Sequence, residues 1–278
     1  MALVWLWVAV CLYGLGLAYS LALLANRGER IARVAIPAVS LGLVFHFVSL
    51  VEFIVHEQLT PASIEYSESL LAFALMVLFM IVRVRYKTTS HGMFVFPLAF
   101  FLTFASIIAR RPLHLEDISP VFRSWWLFAH IALIFTGYAA LFLSFGASLL
   151  YLLQASRLKS KNPGPREGLA SRLPALEVLD EIGYRALLLG FPFMTLGLVM
   201  GAVVAQARFG STYFTDPKVM LSLLMWAVYM VLLYTRWSSG WRGRRAAYLA
   251  TFAFLAALVA WGANYFSYVH NVERVLRS

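Results

Sequence analysis

Eight apolar runs, at about 3–25, 34–55, 69–86, 92–109, 125–154, 184–207, 218–236 and 246–268, each approach or reach the length of a helix that crosses a lipid bilayer. No water-soluble globule accommodates them all. Of the 278 residues 62% are apolar and 13% charged, so a soluble fold would lack the polar surface to cover its exterior. Mean hydropathy is +0.78. The sequence predicts an all-α, polytopic integral membrane helical bundle of about eight transmembrane helices, with the lipid bilayer as its solvent. It reads as a single membrane domain over 1–278.

A net charge of +10 fits a nucleic-acid partner, a membrane surface or the cytoplasmic loops of a membrane protein, and its distribution decides among them. The connections around 26–33, 83–87, 156–185 and 236–245 hold sixteen of the 23 Lys and Arg residues, and the alternate connections with the C-terminus hold seven. By the positive-inside rule the first set is cytoplasmic and both termini are extracytoplasmic. The expectation is a multi-pass protein of the cell inner (cytoplasmic) membrane with no nucleic-acid partner. The first run has no basic residue before it and Arg27, Arg30 and Arg33 after it, which makes it an anchor rather than a cleavable signal peptide. A lone cysteine, Cys11, excludes an intramolecular disulfide, a CxxC pair and a zinc ribbon. The connection over 156–182, with Lys159, Lys161, Pro163, Gly164, Pro165 and Arg166, reads as a linker followed by a short amphipathic helix over 173–184.

Histidine within hydrocarbon is costly unless paired, so His46 and His130 are either functional groups or helix-to-helix hydrogen bonds. Glu52 and His56 share a helix face, where the carboxylate orients the imidazole or forms an interfacial ion pair. His114, near Glu116 and Asp117, reads as loop chemistry, and His91 as a helix start. No Cys or closely spaced His set supplies four zinc ligands. A haem asks less, because its axial imidazoles can come from separate helices. His130 and His270 meet that requirement if crossings five and eight are neighbours. Arg110, Arg111, Arg123, Arg208 and Lys218 are then available for the propionates, or are ordinary interfacial charges. On crossing six, Gly190, Gly197 and Gly201 predict close helix packing and Pro192 a kink.

From Gly190-Phe-Pro-Phe-Met-Thr-Leu-Gly-Leu-Val-Met-Gly-Ala202 onward the chain resembles the cytochrome c assembly membrane proteins, the family of the CcsA-, CcmC- and HemX-like proteins. The likeness continues through Asp216-Pro217-Lys218, Tyr234-Thr-Arg236, Gly240-Trp-Arg-Gly-Arg-Arg-Ala246 and Gly262-Ala-Asn-Tyr265. It extends more weakly to Thr60-Pro-Ala-Ser63, Tyr66-Ser-Glu-Ser-Leu70 and Trp126-Leu-Phe-Ala-His130. The resemblance implies haem handling at the outer membrane face, where an aromatic loop presents haem between two external histidines that match His130 and His270. It implies a haem-binding surface that includes Phe209, Tyr213, Phe214, Asp216 and Lys218, and a second membrane subunit of the cytochrome c assembly system as partner. The family's loop carries several tryptophans before its Asp-Pro-Lys, whereas this one reads Phe209-Gly-Ser-Thr-Tyr-Phe-Thr-Asp-Pro-Lys-Val219. Larger members have a membrane histidine where this chain has Tyr234. No acid–base or nucleophile constellation is visible, so the implied role is haem delivery rather than side-chain catalysis. The other reading is a HemX-like regulator or scaffold of tetrapyrrole biosynthesis that does not deliver haem.

Overall fold

The computed structural model describes residues 1–25, 28–55, 64–108, 125–159 and 173–269, with the backbone alone at 28–30, 64–67, 208 and 265. His56, His114, Arg110, Arg111, Arg123, His270, Thr60–Ser63 and the 160–172 linker lie outside the described residues. The described residues form eight α-helices: Ala2–Leu24 (α1), Gly28–Val55 (α2), Ile64–Tyr86 (α3), Gly92–Ile108 (α4), Trp125–Lys159 (α5), Leu176–Phe209 (α6), Pro217–Ser238 (α7) and Arg244–Gly262 (α8). Two 3-10 turns follow helices directly, Gly210–Thr215 after α6 and Ala263–Phe266 after α8. Seven of the helices are long and apolar enough to cross a membrane, and α4 is a shorter apolar helix of 17 residues. The chain is a polytopic helical membrane protein.

Hydrogen bonds in lipid must be satisfied within each segment, which is why the apolar runs fold as helices rather than open strands. Sequence neighbours then pack antiparallel. Helix α1 lies on α2 and α4, α3 on α4 and α5, α5 on α6 and α8, and α7 on α8 and α6. Polar side chains pin the first of these contacts: Ser49 Oγ donates to the Ala2 carbonyl at 2.9 Å, and Ser20 Oγ to the Gly92 carbonyl at 3.1 Å. His46 is fully buried, with Nε2 2.9 Å from Ser69 Oγ and Nδ1 3.3 Å from the Tyr13 hydroxyl, so it joins α1, α2 and α3 as a helix-to-helix bond. In α8 the buried face is Ala246, Ala250, Ala253, Ala257 and Ala260, small residues that let a neighbouring backbone approach closely.

Several helix ends differ from the expected apolar runs, two of them with consequences for the fold. The amphipathic helix expected over 173–184 does not stand alone: α6 runs unbroken from Leu176 to Phe209, through Pro192. Its polar first turns continue on the same axis because Asp180 finds partners on α7 and in the turn before α8, as described below. The eighth helix ends at Gly262 rather than at 268. Apolar composition persists through Phe266, but the backbone tightens into a 3-10 turn and then leaves the axis at Ser267, whose φ and ψ of −75° and 133° are extended.

Candidate functional site

His130 stands at the sixth residue of α5, facing α6. Its Nδ1 lies 2.6 Å from the Gly197 carbonyl oxygen. A carbonyl only accepts, so Nδ1 carries the hydrogen and Nε2 presents a lone pair. Among the described residues Nε2 has no protein partner. The approach depends on glycine. A Cβ on Gly201 would lie 2.5 Å from His130 Cε1, and one on Gly197 would lie 2.7 Å from the Ile134 side chain. The Gly197–Gly201 pair therefore does more than let helices touch; it seats an imidazole. One turn earlier, Trp126 Nε1 donates to the Met200 carbonyl at 3.3 Å, and exposed Trp125 meets the Trp126 ring edge-on.

The end of α6 brings the aromatic loop alongside. Gly210 takes φ 60° and ψ −155°, a backbone region open essentially to glycine, which stops the helix and starts the 3-10 turn. In that turn Tyr213 is buried and stacked on Phe214, whose own side is half exposed at 52%. Phe209 meets Tyr268 edge-on at 6.4 Å.

Asp216 closes the loop. As N-cap of α7 its Oδ1 accepts from the Lys218 and Val219 N–H groups, at 2.9 and 3.3 Å. Its Oδ2 accepts from Ser267 Oγ at 3.0 Å, Tyr268 N at 2.8 Å and Val269 N at 3.1 Å. Burial pushes this carboxyl up, but the donors at Val269, Ser267, Tyr268 and Val219 outweigh it and hold it below the usual range. Lys218, buried beside it, donates from Nζ to the Ala260 carbonyl at 2.8 Å, satisfying an acceptor in the last turn of α8. Tyr268 adds a hydroxyl bond to the Thr212 carbonyl and lies 3.0 Å from Thr215 Oγ1. The start of α7, the aromatic loop and the 267–269 segment form one hydrogen-bonded unit at the same end of the bundle as His130.

Of the residues singled out in sequence, the structure gathers His130, Phe209, Tyr213, Phe214, Asp216 and Lys218 at one end of the bundle. His270 follows Val269 outside the described residues. Asp216 and Lys218 already have their polar atoms engaged by protein. Sequence reading missed Tyr268, the glycine seat and the five-donor role of Asp216; an N-capping Asp before Pro at N1 is a local signal, but the 267–269 partners are set by tertiary packing. Among the described residues no group of His, Cys, Asp and Glu is arranged to hold a metal ion unaided.

The fold and this site define a multi-pass helical membrane protein that carries an oriented imidazole beside an aromatic loop at one end. The family described as cytochrome C assembly protein matches residues 34–269, and the chain belongs to it. It is 28% identical over 216 residues to the cytochrome c biogenesis protein CcsA of Guillardia theta, covering 71% of each chain. To the protein of that name from Pyropia yezoensis it is 30% identical over 237 residues, covering 71% of this chain and 74% of the relative. The corresponding figures for Prochlorococcus marinus strain MIT 9215 are 33% over 167 residues and 54% of each.

Proposed function

We propose that this protein handles haem for cytochrome c biogenesis at the extracytoplasmic face of the cell inner membrane, where His130 and His270 would hold the iron. The observation that carries the reading is the His130 imidazole: Nδ1 is committed to the Gly197 carbonyl, so Nε2 is the nitrogen left to bind iron. Second, the Asp216 carboxylate ties down residues 267–269, immediately before His270. Phe214, exposed and backed by Tyr213, offers a face for a porphyrin, and Phe209 lines the same loop. Asp216 and Lys218 act by positioning these parts. Haem supplies the iron and the vinyl groups; the chain orients one imidazole, shields one side and presents the loop. The excess of basic residues at the opposite end supports an extracytoplasmic site and termini. The family match over residues 34–269 supports reading 1–278 as one functional unit, and the partner in this proposal is a second membrane subunit of the cytochrome c assembly system.

The absence of tryptophan from the loop favours the other reading, a membrane regulator or scaffold of tetrapyrrole biosynthesis that passes no haem. Reduced-minus-oxidised spectra of the purified protein separate the two. Wild type is expected to copurify with haem and show a Soret band that His130→Ala and His270→Ala each diminish or shift. Haem occupancy and spectrum unchanged in both variants would overturn the ligand assignment. A protein without haem, from cells that still make holocytochrome c when it is deleted, supports the regulator.

A further inference from the structure

A cavity opens at the end of the bundle opposite His130, between the last turns of α5 and the first turns of α8. It is an open depression of about 390 Å³ lined by Leu152, Ser156, Lys159, Arg244 and Tyr248. Two cations meet there, and among the described residues no carboxylate lies within ion-pairing distance of either. Arg244 is held in place by one donor, which reaches the Ala155 carbonyl at 2.8 Å. Among the described residues the rest of its guanidinium fork has no protein acceptor, which leaves those donors for a ligand. On the same stretches of α5 and α8, Leu153, Leu158, Tyr248 and Phe252 are exposed, a surface suited to acyl chains. The cavity thus sits where apolar helix gives way to basic residues, the depth of lipid phosphates, with a tyrosine at the boundary.

We propose that this cavity binds the phosphate headgroup of an anionic phospholipid, with Lys159 and Arg244 as the charged contacts and Tyr248 as a further donor. Two cations with no carboxylate partner among the described residues select an anionic headgroup over a zwitterionic one, and the neighbouring apolar surface selects a lipid over a free anion. The start of α8 adds the positive end of its dipole. This site is independent of the haem reading; a lipid bound here bridges α5, which carries His130, to α8.

The test uses the full chain in phosphatidylcholine nanodiscs with and without phosphatidylglycerol, reading thermal stability and, by native mass spectrometry, retained lipid. Phosphatidylglycerol is expected to stabilise the protein and be retained. Lys159→Gln should weaken retention about fivefold and Lys159→Gln with Arg244→Gln more, whereas Arg85→Gln, which removes a charge from the same end of the bundle, should leave it unchanged. Lys159 makes no hydrogen bond among the described residues, so its variant carries the test even if Arg244→Gln fails to fold. Equal retention of both lipids, or equal weakening by Arg85→Gln, would overturn the proposal. So would stabilisation by inorganic phosphate in detergent that matches the lipid's effect, since the site would then be one for a soluble anion.

Discussion

A Cβ on Gly201 would stand 2.5 Å from His130 Cε1, far inside van der Waals contact, and that one atom ties helix packing to ligand geometry. Gly201→Ala is expected to destabilise by about 1–3 kcal/mol and to shift or reduce the Soret band while His130 itself remains. Gly14→Ala, whose Cβ would meet only Phe100 at 3.6 Å, should leave both thermal midpoint and spectrum near wild type. A second residue carries a pH signature. His91 is buried with neither ring nitrogen partnered among the described residues, and burial pushes its imidazole down to about 4. The unfolded chain therefore takes up the proton first, so stability should fall as pH drops from about 6.5 toward 4. His91→Leu should flatten that part of the curve, measured by thermal unfolding in detergent at stepped pH, and cost little at neutral pH. His130 was legible in sequence because an imidazole inside hydrocarbon needs a reason. Gly201 was not: two small residues four apart signal close approach without saying what approaches.

Elements were legible as apolar stretches, and their ends were not. The polar first turns of α6 broke the apolar pattern, so the sequence suggested a separate helix over 173–184. Tertiary contacts make it continuous. Asp180 accepts from Arg236 at 2.9 and 3.1 Å and from the Gly243 N–H at 3.2 Å, while the guanidinium lies 4.8 Å from the Tyr184 ring centroid. This ion pair is largely shielded, with side-chain exposures of 9% for Arg236 and 18% for Asp180. Removing one partner strands a buried charge, so Arg236→Gln is expected to cost about 3 kcal/mol in a denaturant titration. Replacing both residues by apolar ones should recover much of that loss. The pair fastens α6, α7 and the turn before α8 at the basic end, away from His130.

For the whole molecule, sequence gave the crossings through hydropathy and a sidedness through the Lys and Arg distribution. That sidedness is testable directly. In a Cys11→Ser background, Ser211→Cys at the aromatic-loop end should react with a membrane-impermeant maleimide on intact cells. Ser239→Cys, at the other end, should react only after lysis. The reverse pattern would invert the orientation and place the His130 end in the cytoplasm. Helix neighbours were less legible than helices. That α5 and α8 pack together was a condition of the haem reading, and no periodicity in an almost uniformly apolar chain dictates which faces meet.

The five donors on Asp216 carry a lesson for genetics. A truncation that removes residues from 267 onward discards more than whatever those residues touch: it strips three hydrogen bonds from the carboxylate that caps α7 and frees the ring that braces Phe209. The tail behaves as a keystone, and a null phenotype from cutting it cannot be credited to the loss of His270 until Asp216→Asn has been measured beside it.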